Sequence, residues 1–358
     1  MLIVRNAVPS DLDAILALAA GSGPGMTTLK ADRAQLARRL ETVAASFAGN
    51  AALCESDYLF VLEDLSHARV CGVCAIKGAV GLDAPFYSYR LGTSVHANPP
   101  TGVVNRVETI YLSHDLAGSA ELCSLYLHPD YRYGANGRLL SKSRLLFIAQ
   151  FPQLFPDKIF AEMRGFQTAD AVSPFCESLG RHFFHMDFQA ADDLCGTGER
   201  QFIEQLMPRL PLYTQLLGAE ARAAIGRTHP ETAPARRLLE QEGLLFDGYI
   251  DIFDAGPVLQ ARVREIRAVR ESRLLPLRAG AAGGGDAALV ANTSAAAFRV
   301  LSCVVRADAG GAIIPADAAA ALLLADGAAG RVYHTPVSPP SAFTASIGAA
   351  ANSAAPVL

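Results

Sequence analysis

No hydrophobic run in this 358-residue chain is long enough to cross a bilayer: Ala318 to Ala325, the longest purely apolar stretch of the Ala-rich C-terminal part, is far too short. A signal-peptide core is missing too, because MLIVRNAVPSDLDA places Asp11 and Asp13 early. We therefore expect a cytoplasmic protein with no membrane partner. Neither sign of charge is in excess: 31 Lys and Arg stand against 35 Asp and Glu, a net charge of −4, with the basic residues scattered. That excludes a general attraction to nucleic acid or anionic lipid and points to small-molecule partners. Cysteines are few, odd in number at seven and irregularly spaced, which argues against a disulfide framework. Cys71 and Cys74 match a CxxC spacing inside the strand-like RVCGVCAIKGAV, where residues three apart point to opposite faces. Two buried thiols are the expectation there. No His/Cys/Asp cluster has zinc spacing, so no metal or prosthetic group is expected.

What is present is a globular composition, 51% hydrophobic and 18% charged, long enough for two or three domains with cores of their own. LIVRNA reads as a strand and the following helix as N-capped by Ser10; KADRAQLARRLETVAASF is a second helix. YLFVLED and RVCGVCAIKGA are the next two strands. A loop rich in aromatics and Gly (83 to 102) precedes two more, RVETIYLS and ELCSLYL.

The stretch from Glu121 to Lys142, ELCSLYLHPDYRYGANGRLLSK, runs from strand through turn to helix. Free N–H groups at such a helix start bind a pyrophosphate, with Arg132 supplying charge and Gly134 and Gly137 letting the backbone approach. The order Arg132, Tyr133, Gly134, Ala135, Asn136, Gly137 resembles the cofactor loop of the GNAT acyltransferases, with Ala135 standing where that family has a Gly and Gly134 beside it. The resemblance implies an α+β, GNAT-like acyl-CoA N-acyltransferase fold. SPFCESLG (173 to 180) and PARRLLEQEG (234 to 243) both look like that family's fourth helix and suggest a duplicated fold. Beyond Arg273 a Gly/Ala linker leads to short strand candidates around PADAAAALLLADG, a small C-terminal β-rich domain. The expected division is 1–189 for a GNAT-like acyl-CoA-binding domain and 190–275 for a second half completing the active site. It continues with 276–338 for the accessory domain and 339–358 for a low-complexity, unstructured tail.

From Met1 to about Arg273 the chain also resembles the bacterial arginine N-succinyltransferase family, on blocks such as FYSYRLGTSVHA (86 to 97), ELCSLYLHPDYR (121 to 132), AEMRG (161 to 165), HPETAPARRLLEQEG (229 to 243) and YIDIFDAGP (249 to 257). That implies succinyl transfer from succinyl-CoA, a donor substrate, to the α-amino group of L-arginine. The family's proton donor maps onto His229, and its succinyl-CoA contact onto Leu125, whose backbone is the polar part. Arg132, Asn136 and Gly137 would face the pyrophosphate, with Lys142 and Arg144 as outer charges for the phosphates. Arg90 and Arg164 are candidates for the substrate carboxylates, and Glu162, Asp187 and Asp251 for a guanidinium. An ornithine-preferring subunit and a non-catalytic partner subunit are the alternatives. A homo-oligomer, or a hetero-oligomer with a paralogous subunit, is expected.

Overall fold

The computed structural model describes residues 1–23, 26–196 and 200–334; the expected tail 339–358 lies outside them. Strand β1 (Leu2–Asn6) leads to helices α1 (Leu12–Ala20) and α2 (Arg33–Phe47), then to β2 (Asp57–Asp64), β3 (Arg69–Lys77), β4 (Ser88–Asn98), β5 (Val103–Ser113) and β6 (Ala120–Leu127). Helix α3 (Asn136–Gln150) and strand β7 (Lys158–Glu162) follow. A helical stretch holds α4 (Arg181–Phe184), α5 (Phe188–Gly196), α6 (Gln201–Leu206), the short β8 (Leu212–Tyr213) and α7 (Ala219–Ala224). Next come α8 (Ala233–Gln241), β9 (Leu245–Ile250), β10 (Pro257–Arg262) and α9 (Arg267–Glu271). The chain then forms β11 (Arg273–Ala279), β12 (Asp286–Ala291), β13 (Arg299–Asp308), β14 (Gly311–Ile314), α10 (Ala316–Ala321) and β15 (Ala329–Tyr333).

All these strands hydrogen-bond into one sheet whose centre runs β1-β2-β3-β6-β7-β10-β9-β4-β5. The α+β character expected from the sequence is therefore present. β2 is buried along nearly its whole length, and its Tyr58 and Phe60 pack with Phe47 of α2 and Phe147 of α3 in edge-on and tilted aromatic contacts. At one end of the sheet, β12-β15-β11-β14-β13 close into a ring through an additional β12–β13 pairing, around Leu277, Val290, Leu301 and Ile314. β13 also pairs with β1, Val4 opposite Val300, and so ties the ring to the main sheet.

Several local expectations are corrected. Ser10 does not cap α1: a 3₁₀ turn over Pro9–Asp11 precedes the helix, and the Asp11 carboxylate accepts from the Val8 N–H and pairs with Arg5 instead. α2 does have its cap, Asp32 accepting from the Gln35 N–H at 2.8 Å. The aromatic stretch expected as a loop contains β4, which pairs residue by residue with β5 from Ser88↔Ser113 to Asn98↔Val103. Of the two helix–glycine endings, only the second leads into a strand, α8 passing through Gly243 (φ +97) to β9. The first becomes a π-helical turn over Cys176–Gly180 that continues into α4.

Candidate active site

The site begins where two parallel strands part. β6 and β7 pair at Ala120↔Ile159 and Glu121↔Phe160; past that point β7 pairs with β10, and among the described residues the facing edge of β6 has no strand partner. A bulge bends β6 away: its register against β3 shifts between Val73 and Ala75, and Ser124 takes φ +51. That unusual backbone is held by neighbours. The Ser124 N–H donates to Thr28 Oγ1 (3.1 Å), its hydroxyl to the Thr28 carbonyl (3.0 Å), and Arg39 donates to that same carbonyl. Arg39 and Lys77 clasp the buried Asp57; burial alone would raise that carboxyl, but the two cations hold it down at about 2.

A cavity of about 660 Å³ opens in the split. Residues 121–127 of β6 line one wall and residues 161–164, the end of β7 and the two residues after it, the other, with α8 and the loop before α3 completing it. Leu125, Arg132, Gly134, Gly137, Glu162 and Arg164, all singled out from the sequence, lie on this lining.

In the loop, Gly134 has φ +57 whereas Ala135 sits at φ −102, ψ 8, so the left-handed residue is Gly134 and Ala135 carries no such demand. No side chain caps α3, which leaves N–H groups of its first turn for a ligand. A Cβ at Gly134 or Gly137 would meet nothing within 4 Å. Arg132 donates from Nε to the Leu127 carbonyl at 2.9 Å and its guanidinium lies 5.4 Å over the Tyr126 ring. Asn136 donates to the Tyr131 carbonyl at 3.0 Å, so its side chain shapes the loop. The two outer charges are otherwise placed than expected. Lys142 is buried and ion-paired with Glu242, and Arg144, also buried, bonds Ser141 and the Cys123 carbonyl. Lys142, held in that buried pair, is not free to act as a solvated phosphate clamp. Arg144 does reach the cavity lining.

His229 starts the turn Pro230–Thr232 that introduces α8. Its N–H donates to the Arg164 carbonyl (2.8 Å), and the ring Nδ1 accepts from the Glu231 N–H (3.3 Å). A neutral ring so bonded carries its proton on Nε2. Burial first, and the nearby Arg164 second, lower its pKa, with Glu231 opposing. Arg164 donates to Gln167 Oε1 at 2.7 Å, lies 3.7 Å from Glu231, and keeps its buried Nε without a partner. His229 is beside the cavity rather than on its lining, which Arg164, Glu231 and Thr232 supply next to it.

Arg90 is not brought to the cavity. It lies on β4, three strands from β7, where it bonds the Asp247 carbonyl and stacks 4.2 Å over Tyr249. Asp251 accepts from the Phe253 and Asp254 N–H groups. Cys71 and Cys74 are both buried, the thiols bonding the Leu62 and Leu140 carbonyls, and burial pushes them up to about 12 and about 11. Among the described residues no group of His, Cys, Asp and Glu could hold a metal ion.

Sequence reasoning passed over Glu121, a residue of the motif strand. It is only 6% exposed, yet lines the cavity at the vertex of the split. Its signal was an acidic residue opening an otherwise apolar strand. Burial raises the Glu121 pKa against Arg200, Lys77 and Arg39. Glu162 lies well above the usual carboxylate range, through burial and then the neighbouring Asp251 and Glu121.

Residues 2–268 match the family described as "Arginine N-succinyltransferase beta subunit", and residues 273–333 match that family's C-terminal domain. The chain is 48% identical over 310 residues to proteins named arginine N-succinyltransferase from Shigella dysenteriae and from Escherichia coli K12, covering 86% of this chain and 90% of each relative. A solved structure, arginine/ornithine succinyltransferase subunit AI from Pseudomonas aeruginosa, superposes with a TM-score of 0.85 at 33% identity, over 93% of this chain and 98% of that one. The chain therefore belongs to the arginine N-succinyltransferase beta-subunit family.

Proposed function

We propose that this protein is an acyltransferase that moves a succinyl group from succinyl-CoA to the α-amino group of L-arginine, giving N2-succinyl-L-arginine and CoA. The observation that carries this is the 48% identity, across 86% of the chain, to proteins that bear that activity as their name. The cavity is compatible with it. An unpaired strand edge at Leu125 offers backbone groups to the amide-rich arm of CoA, and the uncapped start of α3 behind Gly134 offers N–H groups to its pyrophosphate, with Arg132 adding charge.

In the reaction the neutral amine attacks the thioester carbonyl, a C–N bond forms, the C–S bond breaks, and one proton passes from nitrogen to sulfur. We assign the passage of that proton to His229, whose ring, neutral at rest, takes up the proton the amine loses and then, as the imidazolium, gives one to the departing sulfur from Nε2. Arg164 is the candidate for a substrate carboxylate, because its Nε is an unused buried donor. Ornithine is a second acceptor to test, since the Pseudomonas aeruginosa relative is named for both amino acids. Residues 1–189 would bind the acyl donor, 190–275 would complete the site by contributing His229, and 276–338 would form an accessory unit around the strand ring. A cytoplasmic setting and self-assembly, or assembly with a paralogous subunit, belong to the same proposal.

Release of thiol from succinyl-CoA, followed against a panel of L-amino acids, tests the function. Turnover with arginine, or with arginine and ornithine, is expected. No release with any basic amino acid overturns it.

A further inference from the structure

The buried Glu121 and the half-buried Glu162 are an unusual pair to leave without partners. The register Glu121↔Phe160 places both carboxylates on the same face of the sheet, on either side of the point where β6 and β7 separate. Both line the cavity, and among the described residues neither side chain has a hydrogen bond or ion pair. The nearby Asp254 is different: it accepts the Gly165 and Gly256 N–H groups at 2.6 and 2.8 Å, and Asp251 likewise accepts backbone N–H groups. Arg200 is the cation that acts on both glutamates, while Lys77 and Arg39 are committed to Asp57. Asp251 and Asp254 thus have their donors and the two glutamates do not, and a buried carboxylate without a partner is destabilising by itself. A cationic group entering by the cavity and bonding both glutamates would offset that cost.

We propose that Glu121 and Glu162 receive the guanidinium of the acceptor amino acid, at the vertex of the β6–β7 split. The planar fork of a guanidinium can donate to two carboxylates at once. The lengths agree. Four residues of strand at about 3.3 Å each separate Glu121 from Leu125 by about 13 Å. An extended arginine spans about 7 Å from α-nitrogen to guanidinium, six bonds of about 1.5 Å in zigzag, and the Glu121 side chain covers much of the remainder. With its guanidinium at the vertex, the α-amine would lie toward Leu125, where the thioester is placed by the function proposed above, on which this assignment rests.

The test is calorimetric titration of the full chain, saturated with CoA, with L-arginine and with L-citrulline, which replaces the guanidinium by a neutral ureido group. The wild type is expected to bind arginine at least 10-fold tighter than citrulline. Glu121→Gln and Glu162→Gln should each weaken arginine 10- to 100-fold, the range for losing a charge-assisted hydrogen bond, and leave citrulline and CoA within twofold. Unchanged arginine affinity in both variants, or an equal loss for arginine and citrulline, overturns the assignment. Should one variant not fold, the other decides. Failure of the wild type to release CoA with any amino acid would sink the succinyltransferase reading instead, a result read in a separate assay.

Discussion

At the residue scale, His229 shows how little of a side chain's chemistry its identity carries. The sequence offers several other histidines, and only the family resemblance separates His229 from them. The structure adds physical reasons: the backbone is pinned to Arg164, Nδ1 is occupied by a main-chain N–H, and burial with a neighbouring guanidinium lowers the pKa. His229→Ala should lower kcat for arginine by roughly 10²- to 10⁴-fold while CoA still binds, the usual contribution of a positioned acid or base. Because the shift is downward, the neutral ring persists below pH 6.5 in the wild type, so kcat should decline only at more acidic pH, and the variant should lack that decline. Near wild-type turnover of the variant between pH 6 and 9 would move the proton to another group. Lys142 and Arg144 teach the complementary lesson. Their spacing reads as a basic helix face, but α3 is packed on nearly all sides, and nothing in a local pattern reveals that tertiary fact.

Elements were most legible where local chemistry and tertiary role coincide. ELCSLYL, the turn and the helix starting near Arg138 all formed as expected, because the apolar run, the Pro/Gly turn and the helical periodicity agree. β4 was not legible. Its Gly, Ser and aromatic residues resemble a loop, and its strand exists because β5 supplies a complete ladder from the next segment. The split between β6 and β7 was equally hidden, since it depends on how two strands far apart in sequence diverge. Within the phosphate loop, Gly134 and Gly137 can be told apart. Gly134 is required by its positive φ, whereas Gly137 is free of both strain and contact, so a side chain there tests the ligand alone. Gly137→Val should leave the Tm close to wild type and raise the KM for succinyl-CoA far more than that for arginine, because the branched side chain obstructs approach to the helix start. A fall in Tm with equal loss of both KM values would mark Gly137 as a packing residue.

For the whole molecule, the informative contact is one that joins distant segments. The Glu242 carboxylate is fully buried just after α8; it pairs with Lys142 of α3, accepts the Tyr333 hydroxyl of β15 at 2.9 Å, and accepts the Ala268 N–H of α9 at 2.8 Å. Lys142 also lies 5.4 Å over the Tyr333 ring. The two matched family segments, 2–268 and 273–333, thus meet at one carboxylate, with the motif helix on its other side. Such a knot makes the C-terminal strands part of the same cooperative structure as the cavity, a link that the composition change after Arg273 does not reveal. Glu242→Gln leaves the Lys142 ammonium buried opposite a neutral amide, which should cost about 3–5 kcal/mol in urea unfolding. Adding Lys142→Met to that variant should recover part of the loss, because the stranded charge is removed and a side chain of similar length fills the space. A cost under about 1 kcal/mol for Glu242→Gln, or a double variant no better than the single one, would mean that apolar packing between the segments, and not this ion pair, holds them together.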